Sequence, residues 1–169
     1  ERSKIKADIF ARRIIIAGEV NGKVEAIEGI KIKTVLINDD VCSAPPTEKE
    51  KRRGIAGLVP IVKMAGAASQ EADSLEDLAK AVEKIVLNTR SVGVSMSPGS
   101  IPATGKPTFE IDEELIGLGM GIHGEQGVSE IPMTSADELT PQMLDLIFED
   151  FHKDPDVSAL SEGDEIVFL

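Results

Sequence analysis

The chain has 169 residues, of which 41% are hydrophobic, and a formal net charge of −12 at pH 7. This length suffices for one domain with a buried core. The negative charge argues against nucleic acids and anionic membranes as partners, and no run of about 18 apolar residues could span a bilayer. A single Cys42 excludes an internal disulfide and fits a cytoplasmic location; we predict that it is a packed residue rather than a nucleophile.

The N-terminal third combines predicted regular elements with polar turns. Ile5 to Arg13 has the pattern of a short amphipathic helix, and Ile14 to Ala17 that of a buried strand. A β-rich run over residues 30–37 ends in Asn38-Asp39-Asp40. Acidic side chains in that position either line a ligand site at a sheet edge or cap the following turn. The sequence leaves both interpretations open.

Two charge and hydropathy patterns follow. Residues 47–53 are dense in charge and predict a solvated loop or a frayed helix start, whose Arg52-Arg53 pair could bind an anion. From Gly54 to Ala68 the pattern is helical and apolar nearly all round, so we expect a helix that is buried on most sides. Pro60 predicts a kink or a helix start within it.

Two helices are predicted with the most support. Ser74 and Asp77 approximate a capping box for a helix that runs to about Asn88. Thr140-Pro141 supplies a cap and a first-turn proline for a second helix, whose apolar stripe reaches Phe151.

The remaining predicted elements are extended or irregular. Residues 92–96 have the pattern of a strand and residues 97–107 that of a long loop. A turn at Gly163-Asp164 precedes a predicted strand at residues 165–169.

Residues 116–127 alternate glycines with apolar residues, which is the pattern of a strand with one bare face. The apolar face would hold Leu118, Met120 and Ile122, and the glycine face Gly117, Gly119 and Gly121. His123 comes next in the glycine parity. Such glycines either mark a bulge or the close packing of another segment, with His123 a packed core histidine, or leave room for a small molecule to approach the backbone. In the second case the segment is a site in which His123 serves either as an acid–base group or as a nucleophile. The residues alone leave both interpretations open.

Other site patterns fail on their context. Residues 119–124 have G-x-G-x-x-G spacing without a following helix, and residues 99–106 have five residues between the glycines where a phosphate loop has four. We therefore predict no nucleotide cofactor bound by this chain. His123, His152 and Cys42 lack metal-ligand spacing, so we predict no metal site.

Several ordered blocks resemble the substrate-binding subunit, or K domain, of the dihydroxyacetone kinases. The resemblance is strong over about residues 30–127 and weak at both ends. In chain order the blocks are Asn38-Asp39-Asp40-Val41, Arg52-Arg53-Gly54-Ile55-Ala56-Gly57, Lys63 with Gly66-Ala67-Ala68, Asn88-Thr89-Arg90-Ser91-Val92-Gly93-Val94, Pro102-Ala103-Thr104-Gly105-Lys106-Pro107-Thr108-Phe109 and Gly119-Met120-Gly121-Ile122-His123-Gly124-Glu125.

The resemblance implies an α/β fold with a mixed β-sheet flanked by helices, and one incomplete domain over residues 1–169. It implies that His123 holds dihydroxyacetone covalently as a hemiaminal, with Gly119, Gly121, Gly124 and Glu125 binding the substrate. The phosphoryl donor would sit on a partner, either a nucleotide-binding kinase subunit or a phosphotransferase-system protein. The family's members resemble homodimers, so a homodimer is expected.

Two blocks of the family have no counterpart in this sequence: the Gly-Gly-Gly-Ser-Gly-His-Glu-Pro loop and the Asn-Tyr-x-Gly-Asp segment with the catalytic aspartate. The chain also begins Glu1-Arg2 without a methionine or a signal-peptide pattern. We therefore expect a fragment or a degenerate relative that is not a competent kinase alone. The alternative function is a dihydroxyacetone-sensing coactivator of a transcription regulator.

Overall fold

The computed structural model describes residues 31–122 and 124–169. The helix predicted at residues 5–13, the strand predicted at 14–17 and His123 lie outside the described residues. No helix in the described part of the chain has the length and apolarity to cross a membrane. The elements, in chain order, are a 3-10 helix (Pro46–Lys51), α1 (Leu58–Glu71), α2 (Leu75–Leu87), β1 (Val94–Ser95), β2 (Leu115–Leu118), β3 (Ser129–Pro132) and α3 (Ala136–Lys153).

The hydrophobic core lies between α1, α2 and the segment that precedes the 3-10 helix. Its buried members are Ile37, Ile61, Ala65, Leu78, Val82 and Val86. Only one face of α1 is covered, since Val59 is 65% exposed and Val62 and Met64 are also exposed. The prediction that this helix is buried on most sides is therefore wrong within the described structure. Its start at Leu58 puts Pro60 in the first turn, where a missing N–H costs no helical hydrogen bond.

Side-chain caps determine where α2 and α3 begin. Ser74 accepts a hydrogen bond from the amide of Asp77 at 3.1 Å, which confirms the predicted start of α2. Helix α3 begins at Ala136, earlier than the predicted Thr140-Pro141, because Ser135 and Glu138 form a reciprocal capping box. The box satisfies two amides that have no helical partner. Pro141 is accommodated inside the helix.

The described strands form one antiparallel sheet in the order β1-β2-β3, in which Leu118 pairs with both Val94 and Ser129. The predicted α/β class is confirmed. Among the described residues the three-stranded sheet itself is antiparallel, and a parallel pairing occurs only as an isolated bridge between Asp40 and Ser91. The strand predicted over 30–37 is reduced, among residues 31–37, to a bridge at Val35. Strand β3 was not predicted.

The C-terminal residues contain the predicted turn but not the predicted strand. The amide of Asp164 donates to the carbonyl of Ser161 at 3.2 Å, and Gly163 has a φ of +100°. Residues 165–169 are exposed and not extended into a strand. A strand requires a neighbour for its ladder, and these residues pair with no described strand.

A buried network of charges joins the 3-10 helix, the end of α2 and the end of α3. Arg52 and Arg90 both donate to the carboxylate of Asp150, at 2.5 Å for Arg52 Nη2 and 2.5 Å for Arg90 Nε. Arg90 also donates to Asp154 at 2.5 Å, and Lys49 Nζ lies 2.7 Å from the same carboxylate. Of the two alternatives predicted for residues 47–53, the 3-10 helix favours the helix start over the loop, and Arg52, just after this helix, is only 5% exposed.

The charge on Asp154 makes this network sensitive to acid. Burial opposes its ionisation, but hydrogen bonds from Lys49 Nζ and the amide of Asp156, with the charges of Lys49 and Arg90, lower the pKa of the carboxyl below its ordinary value of 3.8. A carboxyl with a depressed folded pKa stabilises the fold above its unfolded pKa. That stabilisation is lost as the pH falls through the folded pKa.

The network predicts a large difference between two neighbouring acidic residues of α3. Asp150→Ala leaves two buried guanidinium groups without their partner and should lower the free energy of unfolding by about 3–5 kcal/mol. Glu149→Ala removes only an exposed pair with Lys153 and should change stability little. Urea unfolding followed by circular dichroism measures both. Equal midpoints for the two variants would contradict a stabilising role for the buried network.

Two glycines provide a matched test of the α1 packing. A β-carbon at Gly57 would lie 2.7 Å from Asp39 Oδ2 and 2.8 Å from Thr89 Cγ2, whereas one at Gly66 meets nothing within 4 Å. Gly57→Ala should therefore lower stability by about 1–3 kcal/mol through overpacking. Gly66→Ala should raise it by about 0.5–1 kcal/mol, because alanine favours the helix interior. Thermal unfolding of the two variants should give shifts of opposite sign.

Candidate functional site

The adjacent carboxylates of Asp39 and Asp40 are completely buried and bind the chain's own backbone. Asp39 accepts hydrogen bonds from the amides of Ile55 at 3.0 Å and Gly57 at 2.8 Å, just ahead of α1. Asp40 accepts from the amide of Cys42 at 3.1 Å. Of the two interpretations that the sequence left open, these contacts favour turn capping over a ligand edge.

The neighbouring arginines have separate partners, and neither is a free anion-binding group. Arg52 is committed to Asp150 in the buried network. Arg53 donates through Nε to Asp40 Oδ2 at 2.8 Å and through Nη2 to the carbonyl of Gly119 at 2.7 Å. Arg53, in the second of the blocks that carry the resemblance, thus reaches the segment that contains the candidate histidine.

We name residues 119–125 the glycine turn; His123 belongs to it and lies outside the described residues. Strand β2 ends at Leu118, and Gly119 has a φ of +78°, a conformation that favours glycine. The amides of Gly119 and Met120 both donate to the carbonyl of Gly93, at 2.7 and 3.3 Å. The predicted alternation of faces is therefore wrong beyond Leu118, because the chain turns there instead of continuing as a strand.

Within the turn, glycine is required where other parts of the chain come close. A β-carbon at Gly119 would lie 2.6 Å from Cys42 Cβ, and one at Gly124, whose φ is +85°, would lie 2.9 Å from Thr108 Oγ1. The same atom at Gly121 would meet the carboxylate of Glu125, whose Cδ would be 2.7 Å away. Of the two explanations proposed for the bare backbone, these contacts support the approach of other segments.

The four predicted binding residues other than His123 all lie in this turn: Gly119, Gly121, Gly124 and Glu125. The amide of Gly124 donates to the carbonyl of Gly121 at 3.3 Å, and that of Gly121 to the carbonyl of Glu125 at 3.2 Å. The residues that support or approach the turn from outside are Asp40, Arg53, Gly93 and Thr108; all four lie in blocks that carry the resemblance, but their contacts with the turn were not predicted. They lie 11 or more positions away in the sequence, and no motif spacing connects them to it.

The other candidate chemistries find no assembled site among the described residues. No cluster of three or more His, Cys, Asp or Glu side chains there could hold a metal ion. A groove of about 450 Å³ lies between the end of α2 and the C-terminal residues, lined in part by Lys84, Asn88 and Asp156. None of its lining residues belongs to the glycine turn.

The thiol of Cys42 packs under the turn and is chemically quiet. Burial, followed by the charge of Asp40, raises its pKa from 9.0 to about 11, although Arg53 and Arg52 oppose the shift. A thiol with so high a pKa has almost no thiolate near neutral pH. This supports the prediction that Cys42 is a packed residue and not a nucleophile.

Comparison with known proteins gives a consistent assignment. Residues 16–169 match the profile of the Dak1 domain family. Over 151 residues the chain is 34% identical to the dihydroxyacetone-binding subunit DhaK of PTS-dependent dihydroxyacetone kinase 2 from Listeria innocua, covering 89% of this chain and 43% of that protein. It is 43% identical over 118 residues to human triokinase/FMN cyclase, covering 70% of this chain and 20% of that protein.

The solved structures with the same fold include an enzyme and a co-activator. The dihydroxyacetone kinase of C. freundii superposes with a TM-score of 0.64 at 27% identity, over 72% of this chain and 22% of that one. The dihydroxyacetone kinase operon co-activator Dha-DhaQ superposes with a TM-score of 0.66 at 22% identity, over 74% of this chain and 38% of that one. The chain thus spans less than half the length of each of these proteins.

The raised pKa of Cys42 predicts slow alkylation in the folded state. Two pKa units correspond to about a 100-fold smaller thiolate fraction, so iodoacetamide at pH 8 should react about 100-fold faster with the urea-unfolded chain than with the folded one. The measurement is the rate of mass increase at Cys42. Similar rates in both states would show that the thiol is not shielded under the turn.

Proposed function

The chain belongs to the Dak1 domain family, and from this we propose that it is the dihydroxyacetone-binding part of a dihydroxyacetone (glycerone) kinase. The observation that carries the proposal is the match over residues 16–169, which includes the whole glycine turn and the Asp40 and Arg53 side chains that support it. Several relatives are named for short ketoses, since besides the dihydroxyacetone kinases an L-erythrulose kinase from Pectobacterium atrosepticum is 33% identical over 141 residues.

His123 is the residue that we propose captures the ketone. The unprotonated nitrogen of a neutral imidazole adds to the carbonyl carbon, a C–N bond forms and the carbonyl π bond breaks. The oxygen takes a proton from solvent while the other ring nitrogen gives its N–H proton to solvent, so that a neutral hemiaminal results. Histidine suits this step because its ring is largely neutral near physiological pH. Glycerol offers no electrophilic carbon, so covalent capture selects short ketoses and aldehydes over polyols.

The remaining predicted residues shape the surroundings of that bond. Gly119 and Gly121 are buried, and their backbone is fixed by hydrogen bonds to Arg53 and Glu125. We propose that the turn of Gly119, Gly121, Gly124 and Glu125 presents His123 to the substrate in one orientation. A preorganised turn lowers the entropy that binding must overcome.

Phosphoryl transfer requires a donor that we place on a partner. The chain carries no complete nucleotide-binding motif, and relatives are described as PTS-dependent or PEP-dependent kinases. We propose a partner subunit that carries ATP or ADP, or a phosphotransferase-system protein that recharges it. A cytoplasmic homodimer with a role in glycerol metabolism belongs to the same proposal.

The fold alone does not separate the kinase from the alternative function of a ketose-sensing co-activator, because the TM-scores are 0.64 and 0.66. Sequence identity favours the kinase, at 27% against 22%. The two functions differ in an assay: the kinase reading requires triose phosphate to form when the whole protein and a donor subunit are combined, whereas a co-activator binds the ketose without transfer.

The two histidines of the chain allow a matched test of covalent capture. Intact mass spectrometry after incubation with dihydroxyacetone, without borohydride, should show one added triose in the parent and none in His123→Ala. His152→Ala, at the exposed end of α3, should retain the adduct. Glycerol should add no mass to any of the three proteins. Equal adduct in the parent and in His123→Ala would contradict the covalent role.

A further inference from the structure

We propose that Arg53 is a positioning residue of the ketose site. Its guanidinium fixes the carbonyl of Gly119 and thereby the glycine turn in which His123 lies. The inference rests on the proposed function for its catalytic meaning, but the positioning itself is a property of the unliganded chain. In this role Arg53 acts through the backbone of the turn and does not itself touch the substrate.

Arg53 is itself held in place by Asp40. Its Nε and Nη2 both contact Asp40 Oδ2, at 2.8 and 2.6 Å, and the Asp40 side chain is completely buried. Asp40 is fixed in turn by its backbone, whose amide donates to the carbonyl of Arg53 at 3.2 Å. A buried carboxylate requires a partner, so the guanidinium cannot leave without a large desolvation cost.

The backbone carbonyl and the backbone amide of Gly119 both form hydrogen bonds. The carbonyl of Gly119 accepts from Arg53 at 2.7 Å, and its amide donates to the carbonyl of Gly93 at 2.7 Å. The amide of Met120 shares that acceptor at 3.3 Å. Hydrogen bonds on opposite sides of Gly119 fix the φ of +78° at which the chain leaves β2.

The remaining guanidinium nitrogen, Arg53 Nη1, lies near Gly121. A β-carbon at Gly121 would lie 3.0 Å from Arg53 Nη1 and 2.7 Å from Glu125 Cδ. The cation and the carboxylate therefore both lie close to the same point beside Gly121. A guanidinium can serve Asp40, Gly119 and this point together because its donors are fixed in a planar fork. A lysine ammonium can replace only part of that set.

The adjacent arginine provides the matched control. Arg52 binds Asp150 and the carbonyl of Ala44, and makes none of the hydrogen bonds that hold the glycine turn. Arg52→Lys and Arg53→Lys are the same chemical change one residue apart, and Arg53→Gln removes the charge as well. Hydrogen exchange of the peptide spanning residues 115–122 reports on the amides of Gly119 and Met120 without ligand. Calorimetry with dihydroxyacetone then reports on the site.

Arg53→Gln should speed exchange in this peptide and weaken dihydroxyacetone binding by at least about tenfold, because a hydrogen bond to a charged donor is lost. Arg53→Lys should lie between Arg53→Gln and the parent in both measurements. Arg52→Lys should lower the melting temperature yet keep parent exchange in the peptide and affinity within about twofold.

Unchanged exchange in both Arg53 variants would overturn the proposal, as would equal losses in Arg52→Lys and Arg53→Lys, which would indicate global destabilisation. A parent that binds no dihydroxyacetone would contradict the proposed function instead. The exchange measurement would then decide the role of Arg53 by itself.

Discussion

The ion pair between Asp40 and Arg53 is the contact through which distant parts of the chain are joined. Asp40 is completely buried and follows the segment that supplies Ile37 to the core, while Arg53 follows the 3-10 helix. The guanidinium continues to the carbonyl of Gly119, 66 positions further along the chain. One charge pair therefore links the edge of the α1–α2 core to the turn after β2. Removing Arg53 would leave the buried carboxylate of Asp40 unpaired and would release the carbonyl of Gly119 in the turn.

Helix α3 is attached by charge where α1 and α2 are attached by apolar packing. The one buried residue of α3 is Asp150, which lies between the guanidinium groups of Arg52 and Arg90. Arg90 also stacks on the ring of Phe151, with its Cζ 4.5 Å from the ring centroid. Ion pairs of this kind contribute modest net stability but fix geometry strictly, since a planar guanidinium donates in fixed directions. The buried network around Asp150 lies next to the Asp40–Arg53 ion pair, because the consecutive residues Arg52 and Arg53 each belong to one of them.

The sequence predicted those features whose causes are local. The start of α2 depends on Ser74 and an amide three residues later, and both are visible in the sequence. The predicted start of α3 was wrong, because the sequence contains two competing capping signals. The reciprocal box of Ser135 and Glu138 satisfies more amides than Thr140-Pro141. The contacts of Arg53 with Asp40 and with the turn could not be predicted, since they join segments that only the fold brings together. The sequence did single out residues 119–125 as a candidate site, by resemblance and by their glycine content, although it predicted a strand there and not a turn.

The glycine spacing of the turn illustrates why a motif needs its structural context. G-x-G-x-x-G serves phosphate binding when glycines let a pyrophosphate approach a helix N-terminus. Here the same spacing arises because Cys42, Arg53 and Thr108 approach the backbone from within the chain. Each glycine is required by a neighbour, two of them by a positive φ as well, at +78° for Gly119 and +85° for Gly124. The described residues on both sides of His123 are thus fixed by contacts within the protein before any ligand arrives, which is the kind of support that a site needs if it is to hold a small molecule in one orientation.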